Sequence, residues 1–371
     1  MRVFLFISNK GDSLSLAQRI ADEGNRVLFY INDLEAREVG NGLIEKHNES
    51  RQVVGGAGRI DTDVFTKLLN PNPDCVICDS CNLGFGVLSD MFRSSSIPVI
   101  GSGEWAERVE NDTLFGAQVM LTMGVGVSEV RDGIVINTEA WFNGVEVIGV
   151  NHTIKNARLM PGELGPKADM GNVVWIGRQS SRLYKESLEK LVPLLKKLRY
   201  RGPISIDTNI DESGMYGLKL TPRFNYNAFY VLLEMLKGKI NDLMYGVATG
   251  VLRNMFFKSQ LGIGVTLAVP PFPYTCPNKQ PYAIEGLDKQ NLKHFWGYDF
   301  KSGYTTAGAG GYIGTVTARG DEIQDFSPLR DAKRRAFRTL GNIKACDGMY
   351  RSDIGGKVER NRAQLKTWGW L

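Results

Sequence analysis

Residues 200–229 carry two runs in which apolar and polar side chains alternate, joined by a short polar break. In the first run Ile204, Ile206 and Ile210 alternate with Ser205, Asp207 and Asn209. In the second, Tyr216, Leu218 and Leu220 alternate with Gly217, Lys219 and Thr221, and Arg223 continues the polar series. Side chains two apart on a strand share a face, so the pattern predicts a β-hairpin with one apolar face and one face gathering Asp207, Lys219, Thr221 and Arg223. Asp211 and Gly214 in the break supply the side-chain cap and the positive φ that a turn needs. Phe229, Leu232, Leu233 and Leu236 then recur at helical spacing, so the hairpin feeds a helix over 228–236 with its apolar side in the core.

The start of the chain has a different rhythm. An apolar run at 2–7, a polar loop at 8–13, an amphipathic stretch ending on Gly24 and a second apolar run at 26–31 predict strand, loop, helix and strand. Such a βαβ opening belongs to a parallel sheet, with ligand contacts at the carboxyl ends of its strands. Helices over 63–69, 88–96 and 184–198, and strands near 75–78 and 97–100, follow from the same periodicities, and a proline-rich shift marks 261–281.

With 371 residues, 43% hydrophobic and 23% charged, the chain has room for two or three domains with a large core, and disordered and fibrous classes are excluded. No run of 18 apolar residues offers a membrane span, and the apolar part of the N-terminus is too short for a signal peptide, so the expected compartment is the cytoplasm, a host's if the source is viral. The net charge of +5 suits an anionic substrate. Basic residues cluster late, with Lys357, Arg360, Arg362 and Lys366 followed by Trp368 and Trp370. That cluster reads either as a solvated helix face with a loose tail or as a phosphate-tracking surface with aromatics for base stacking. Cys75, Cys78 and Cys81 have a spacing that suits a soft metal, but "CVIC" is a strand that sends Cys75 and Cys78 to opposite faces, and no fourth ligand is near, so no metal is expected.

The hairpin and its flanks resemble phosphoribosylamine glycine ligase, also called glycinamide ribonucleotide synthetase, of the ATP-grasp superfamily. The resemblance runs to about residue 356. It rests on the Arg223-Phe224 pair, on residues 97–125, on Glu163, Gly165, Pro166, Met170 and Gly171 in the places of a product-binding loop, and on residues 350–355, which match a closing "Arg-Arg-Asp-Ile-Gly" signature. It implies an α/β, ATP-grasp-like fold: an N-terminal parallel-sheet (pre-ATP-grasp) domain at 1–124, a reduced ATP-grasp core lacking its lid at 125–256, and a small mixed α/β C-terminal domain at 257–356, before a basic aromatic tail at 357–371. Asn9 and Gly11 hold two places of the family's glycine-rich loop, and Asp79, Ser80 and Asn82 lie in or beside its substrate loop.

The departures matter most for function. Where the family's "Glu-x-Asn-x-Arg-Phe" pattern holds Mg²⁺, this chain has Lys219, Thr221 and Arg223, and only residues 125–136 remain where the family inserts a β-rich lid carrying an ATP lysine. A charged lysine has no acceptor to offer a metal, but Lys219 is a point-charge anchor for phosphate and Arg223 a bidentate one. The expected activity is therefore an amino-acid transferase with no ATP or magnesium cofactor. An amine, glycine's first, displaces phosphate or pyrophosphate from a pre-activated, phosphorylated acceptor. Asp207 or Glu163 takes the proton, Lys219 and Arg223 steady the leaving phosphate, and Thr221 and His152 line the cleft. Viral enzymes that build hypermodified pyrimidines in DNA need such a step, which makes DNA a candidate partner. An ATP-dependent ligase and a non-catalytic binding module are the alternatives.

Overall fold

The structure is a computed structural model that describes residues 1–47, 49–127, 132–274, 281–306, 310–321 and 327–371. Parts of two segments read above lie outside the described residues: the lid remnant at 128–131 and the proline-rich run at 275–280.

Four strands, β1 (Val3–Ser8), β2 (Arg26–Ile31), β3 (Cys75–Cys78) and β4 (Val99–Ile100), pair in parallel in the order β2-β1-β3-β4. Apart from Arg26 and Ser8 at strand ends they are apolar, because both faces are covered. Phe4, Phe6 and Cys75 join one core with the helix α1 (Leu14–Asp22), while Leu5, Ile7 and Cys78 join another with Phe85, Leu88 and Phe92. Cys75 and Cys78 thus face opposite sides of β3, and burial raises both thiols. A helix α2 (Glu104–Asn111) follows β4.

The second layer is a larger antiparallel sheet. Strands β5 (Ile134–Phe142), β6 (Val147–Met160), β7 (Leu164–Ile176), β8 (Gly202–Ile210), β9 (Met215–Thr221), β10 (Leu261–Ala268), β11 (Phe295–Gly297) and β12 (Tyr312–Gly320) lie in the order β11-β12-β10-β7-β6-β5-β8-β9. Strands from both sides of residue 257 therefore share one sheet. Helix α3 (Tyr226–Met235) crosses β7, β10 and β12 and buries Phe229, Leu232, Leu233 and Met235. Helix α4 (Pro328–Asn342) packs on β12 and β10, and α5 (Val358–Thr367) follows it.

The hairpin forms where alternation places it, β8 against β9, with Asp211 Oδ1 accepting from the Ser213 and Gly214 amides in the turn. It differs in one respect. A bulge between Asp207 and Thr208 in the ladder pairs Asp207 with Lys219 but Thr208 with Gly217, so Leu218 is the extra residue and Tyr216 comes opposite Asn209. Tyr216 therefore joins the polar face and Leu220 alone of the three expected apolar positions is fully buried. Two other expectations change. The stretch 184–198 is not one helix but Arg182–Lys185, a 3-10 turn at Leu188–Leu191 and Val192–Lys197. Ser187 leaves helical geometry, and Pro193 in the first turn of the last piece has no amide hydrogen to continue a longer helix. Residues 163–171, expected as a loop, turn at Gly162 and Glu163 and run into β7.

Candidate functional site

The carboxyl ends of β1 and β3 meet the chain leaving β9. After β1, Gly11 has φ +100°, and a Cβ there would lie 2.5 Å from Val39 Cγ1, so glycine alone lets the loop turn into α1. Its amide donates to Ser8 Oγ at 2.8 Å. Asp79, just past β3, is buried and its Oδ2 accepts from the Ser13 amide at 3.2 Å and from the Ser13 hydroxyl. Burial and the charge of Asp12 raise its pKa well above the carboxylate range, with the Ser13 and Ser8 hydrogen bonds opposing. Asp12 itself opens onto a cleft of about 420 Å³ whose walls include Lys10, Asp169, Arg223, Tyr226 and Tyr312. The surrounding protein mass raises Asp12 too, with Arg223 and Lys10 pulling it down.

The four side chains expected to act together sit in three separate ion clusters. Lys219 Nζ and Arg223 Nη2 both reach Glu110 Oε1 of α2, at 2.8 and 3.2 Å. Asp207 Oδ1 is held by Lys155 Nζ at 3.0 Å and Asn137 Nδ2 at 2.8 Å. Glu163 Oε1 accepts from Arg351 Nη1 at 2.8 Å and Asn156 Nδ2 at 3.2 Å, with Lys357 Nζ 3.5 Å away. Arg351 is fully buried and also grips Asp353 and the Arg158 carbonyl, so Glu163 fastens the tip of the β6-β7 hairpin to the C-terminal segment. Of the four, Arg223 lines the cleft.

The other expected contacts divide similarly. Asn9 is half-buried beside the cleft loop and its carbonyl accepts from the Asp33 amide. Ser80 is buried with its hydroxyl accepting from the Asn82 amide at 3.1 Å, Asn82 is exposed, and Thr221 is half-buried opposite Ser205. Gly165 and Pro166 sit at the hairpin end of β7, whereas Met170 is buried and Gly171 is there for packing: a Cβ would lie 2.7 Å from the Gly264 carbonyl of β10. His152 is buried, shares a hydrogen bond with Thr138 Oγ1 at 3.0 Å and lies 5.8 Å from the Trp175 ring. Desolvation lowers its pKa to about 3, so it is a neutral structural residue.

The tail is not loose. Val358, Leu365 and Trp370 are buried, the Arg182 guanidinium lies 3.9 Å from the Trp370 ring, Arg362 covers Trp175 at 5.3 Å, and Trp368 Nε1 donates to Glu212 at 3.3 Å. Trp370 is 2% exposed and so has no face for a base; the stacking expected of it gives way to packing in the core. Arg360 and Lys366 remain exposed.

Sequence reasoning passed over Glu110, Lys155, Asp169 and Asp12. Lys155 had a signal, a lone lysine in a run that alternates with Ile154. Asp12 had a positional one, beside Gly11 at the end of the first parallel strand, where ligands gather in such sheets. Nothing in a helix such as α2 marks Glu110 as the partner of residues more than a hundred positions away.

Among the described residues no group of three His, Cys, Asp or Glu side chains is placed to hold a metal ion, and no helix is long and apolar enough to cross a membrane. No family model matches the chain. Phosphoribosylamine–glycine ligase of Mycobacterium leprae is 23% identical over 172 residues, 45% of this chain and 38% of that protein. Its counterpart from Halalkalibacterium halodurans is 21% identical over 300 residues, 78% of this chain and 66% of that protein. The chain thus matches less than two-thirds of the length of these relatives. The crystal structure of the Thermotoga maritima phosphoribosylamine–glycine ligase superimposes with a TM-score of 0.64 over 95% of this chain and 99% of that one, at 14% identity. The fold is ATP-grasp-like. Within the ATP-grasp-like frame the cleft lies between the parallel sheet, the exit of β9 and the strands past residue 257.

Proposed function

We propose that this chain forms a carbon–nitrogen bond between the amine of an amino acid, glycine first, and a small phosphorylated acceptor, and that it does so without ATP. The similarity to enzymes named as phosphoribosylamine–glycine ligases supports the substrate pair, an amine-bearing amino acid and a phosphorylated partner. The cleft supports it physically, because Lys10 and Arg223 on its walls attract a phosphate while Asp12 and Asp169 attract an ammonium.

One observation carries the ATP-independent part. Lys219 and Arg223 converge on a single oxygen of Glu110, where the family pattern has carboxylate and carboxamide ligands for magnesium. An ammonium and a hydroxyl, with the nearby carboxylate already engaged by two cations, do not fit Mg²⁺, which takes oxygen ligands in octahedral array. Mg·ATP therefore has no place in the steps assigned to this site. The acceptor arrives already carrying its leaving phosphate, and Arg223 with Lys10 balances the charge as the bond to phosphate breaks.

Calorimetry of the full chain against Mg·ATP is the experiment. No binding in the micromolar range is expected, and a micromolar affinity, about 8 kcal/mol, would restore the ATP-dependent ligase reading that the relatives' names favour.

A further inference from the structure

Neither carboxylate first expected to take the amine's proton is free for it: Asp207 is engaged by Lys155 and Asn137, and Glu163 by Arg351. The cleft offers another. Asp12 opens onto it from the loop after β1, and its backbone carbonyl is fixed by the Tyr230 hydroxyl at 2.8 Å. Behind it Asp79 is buried and anchored by Ser13. An independent sign that this corner receives a polar ligand is Tyr226, which is 8% exposed and lines the same cleft, yet whose hydroxyl has no hydrogen-bond partner. A buried hydroxyl left unpaired is costly, so a cleft ligand that supplies its partner is favoured.

We propose that Asp12 is the general base of the joining reaction, receiving the ammonium of the amino acid and taking its proton, with Asp79 as the positioning residue behind it. The inference rests on the carbon–nitrogen bond formation proposed above. In the step, an N–H bond of the ammonium breaks and its proton passes to Asp12 Oδ, leaving the electron pair on nitrogen. That pair attacks the acceptor carbon, the carbon–oxygen bond to phosphate breaks, and the phosphate departs with its electron pair toward Arg223 and Lys10. The second proton shed by the new secondary amine goes to water.

The groups facing Asp12 set its basicity from every side. Lys10 on its own loop and Arg223 after β9 favour the carboxylate. Asp79 beyond β3 opposes it, and Tyr226 and Tyr230 of α3 and Tyr298 after β11 crowd the same space, with Asp169 and Asp299 farther round the cleft. The net effect is a carboxyl raised above its ordinary value, because burial outweighs the two cations. Asp79 contributes by like-charge repulsion and by burial around the pair.

The test has two arms on the full-length protein. In the first, carboxyl-¹³C-aspartate labelling follows the titration of wild type, Asp12→Asn and Asp79→Asn by NMR, with no substrate present. The pair is expected to retain one proton well above the ordinary carboxylate range, and Asp79→Asn to lower the titration of Asp12. An Asp12 that titrates as an ordinary surface aspartate overturns the proposal. In the second, kcat and KM are measured against pH with glycine and a pyrophosphorylated acceptor. Asp12→Asn is expected to lower kcat by roughly 10²–10⁴-fold with KM for glycine changed far less. Asp79→Asn is expected to move the acid limb of the profile to lower pH while keeping turnover. Full kcat in Asp12→Asn, or coincident profiles for Asp79→Asn and wild type, overturns the assignment. If no acceptor turns over, the NMR arm still judges the proton-holding pair, and the failure belongs to the proposed reaction.

Discussion

Lys219 of β9 donates to Glu110 Oε1 of α2 at 2.8 Å, across 109 positions of sequence. Arg223, which lines the cleft, shares that oxygen, so one buried carboxylate is paired with two cations. Glu110→Gln keeps an acceptor for Arg223 but removes the charge. Inorganic phosphate is expected to bind about tenfold tighter, equivalent to about 1.4 kcal/mol, as measured by calorimetry. Lys219 and Arg223 are 50% and 35% exposed and stay hydrated, so the stability loss should stay near 1 kcal/mol. Unchanged phosphate affinity would show that these cations do not serve an anion.

Arg351 clamps Glu163, the residue that the sequence presented as a proton acceptor. It is 1% exposed and bonds Glu163, Asp353 and the Arg158 carbonyl. Arg351→Met is expected to cost about 2–3 kcal/mol in denaturant titration. This is below the 3–5 kcal/mol of a fully buried broken pair, because Glu163 and Asp353 are each about one-third exposed and recover water. Glu163→Gln should leave turnover almost intact, whereas loss of a true general base lowers it roughly 10²-fold or more.

The hairpin and its feeding helix were legible because alternation and 3.6-residue spacing are written locally, and the parallel opening because its strands are continuously apolar. Cys75 and Cys78 followed the same rule to opposite faces. The Leu218 bulge was not legible, since nothing in the alternation marks an extra residue, and it moved Tyr216 to the polar face. The site was legible only in Arg223, Asn9, Gly11 and the residues near Asp79. Its ion pairs join β9 to α2, β6 to β8 and the β6-β7 tip to residue 351, contacts that only the tertiary fold makes.

Glu139 on β5 is fully buried, and desolvation raises its pKa to about 7 against the Trp141 N–H and the charge of Lys155. From about pH 4.5 to 7 the folded chain keeps a proton that the unfolded chain releases, so stability should fall as pH rises through that window, by an amount on the order of 3 kcal/mol. Glu139→Gln carries no charge and should flatten that dependence. Urea unfolding at pH 5 and pH 8 for both proteins checks it, and parallel curves would contradict it.

Trp370 anchors α5 to the body beneath Arg182. Trp370→Ala should cost roughly 3 kcal/mol, the lower end for a buried tryptophan. Exposed Arg360 and Lys366 should each tolerate alanine within about 0.5 kcal/mol. Thermal melts distinguish the two sets, and an unchanged melting temperature for Trp370→Ala would mean that the tail is not docked.

Whether the proposed carbon–nitrogen bond formation needs ATP is read by mass spectrometry of nucleotide-free protein. The chain is incubated with ¹⁵N-glycine and a panel of small phosphate and pyrophosphate esters, with and without Mg·ATP. A ¹⁵N-labelled product whose mass equals glycine plus acceptor less the leaving phosphate or pyrophosphate, formed equally in both conditions, is the expected result. A product that forms only when Mg·ATP is added would overturn ATP-independent transfer.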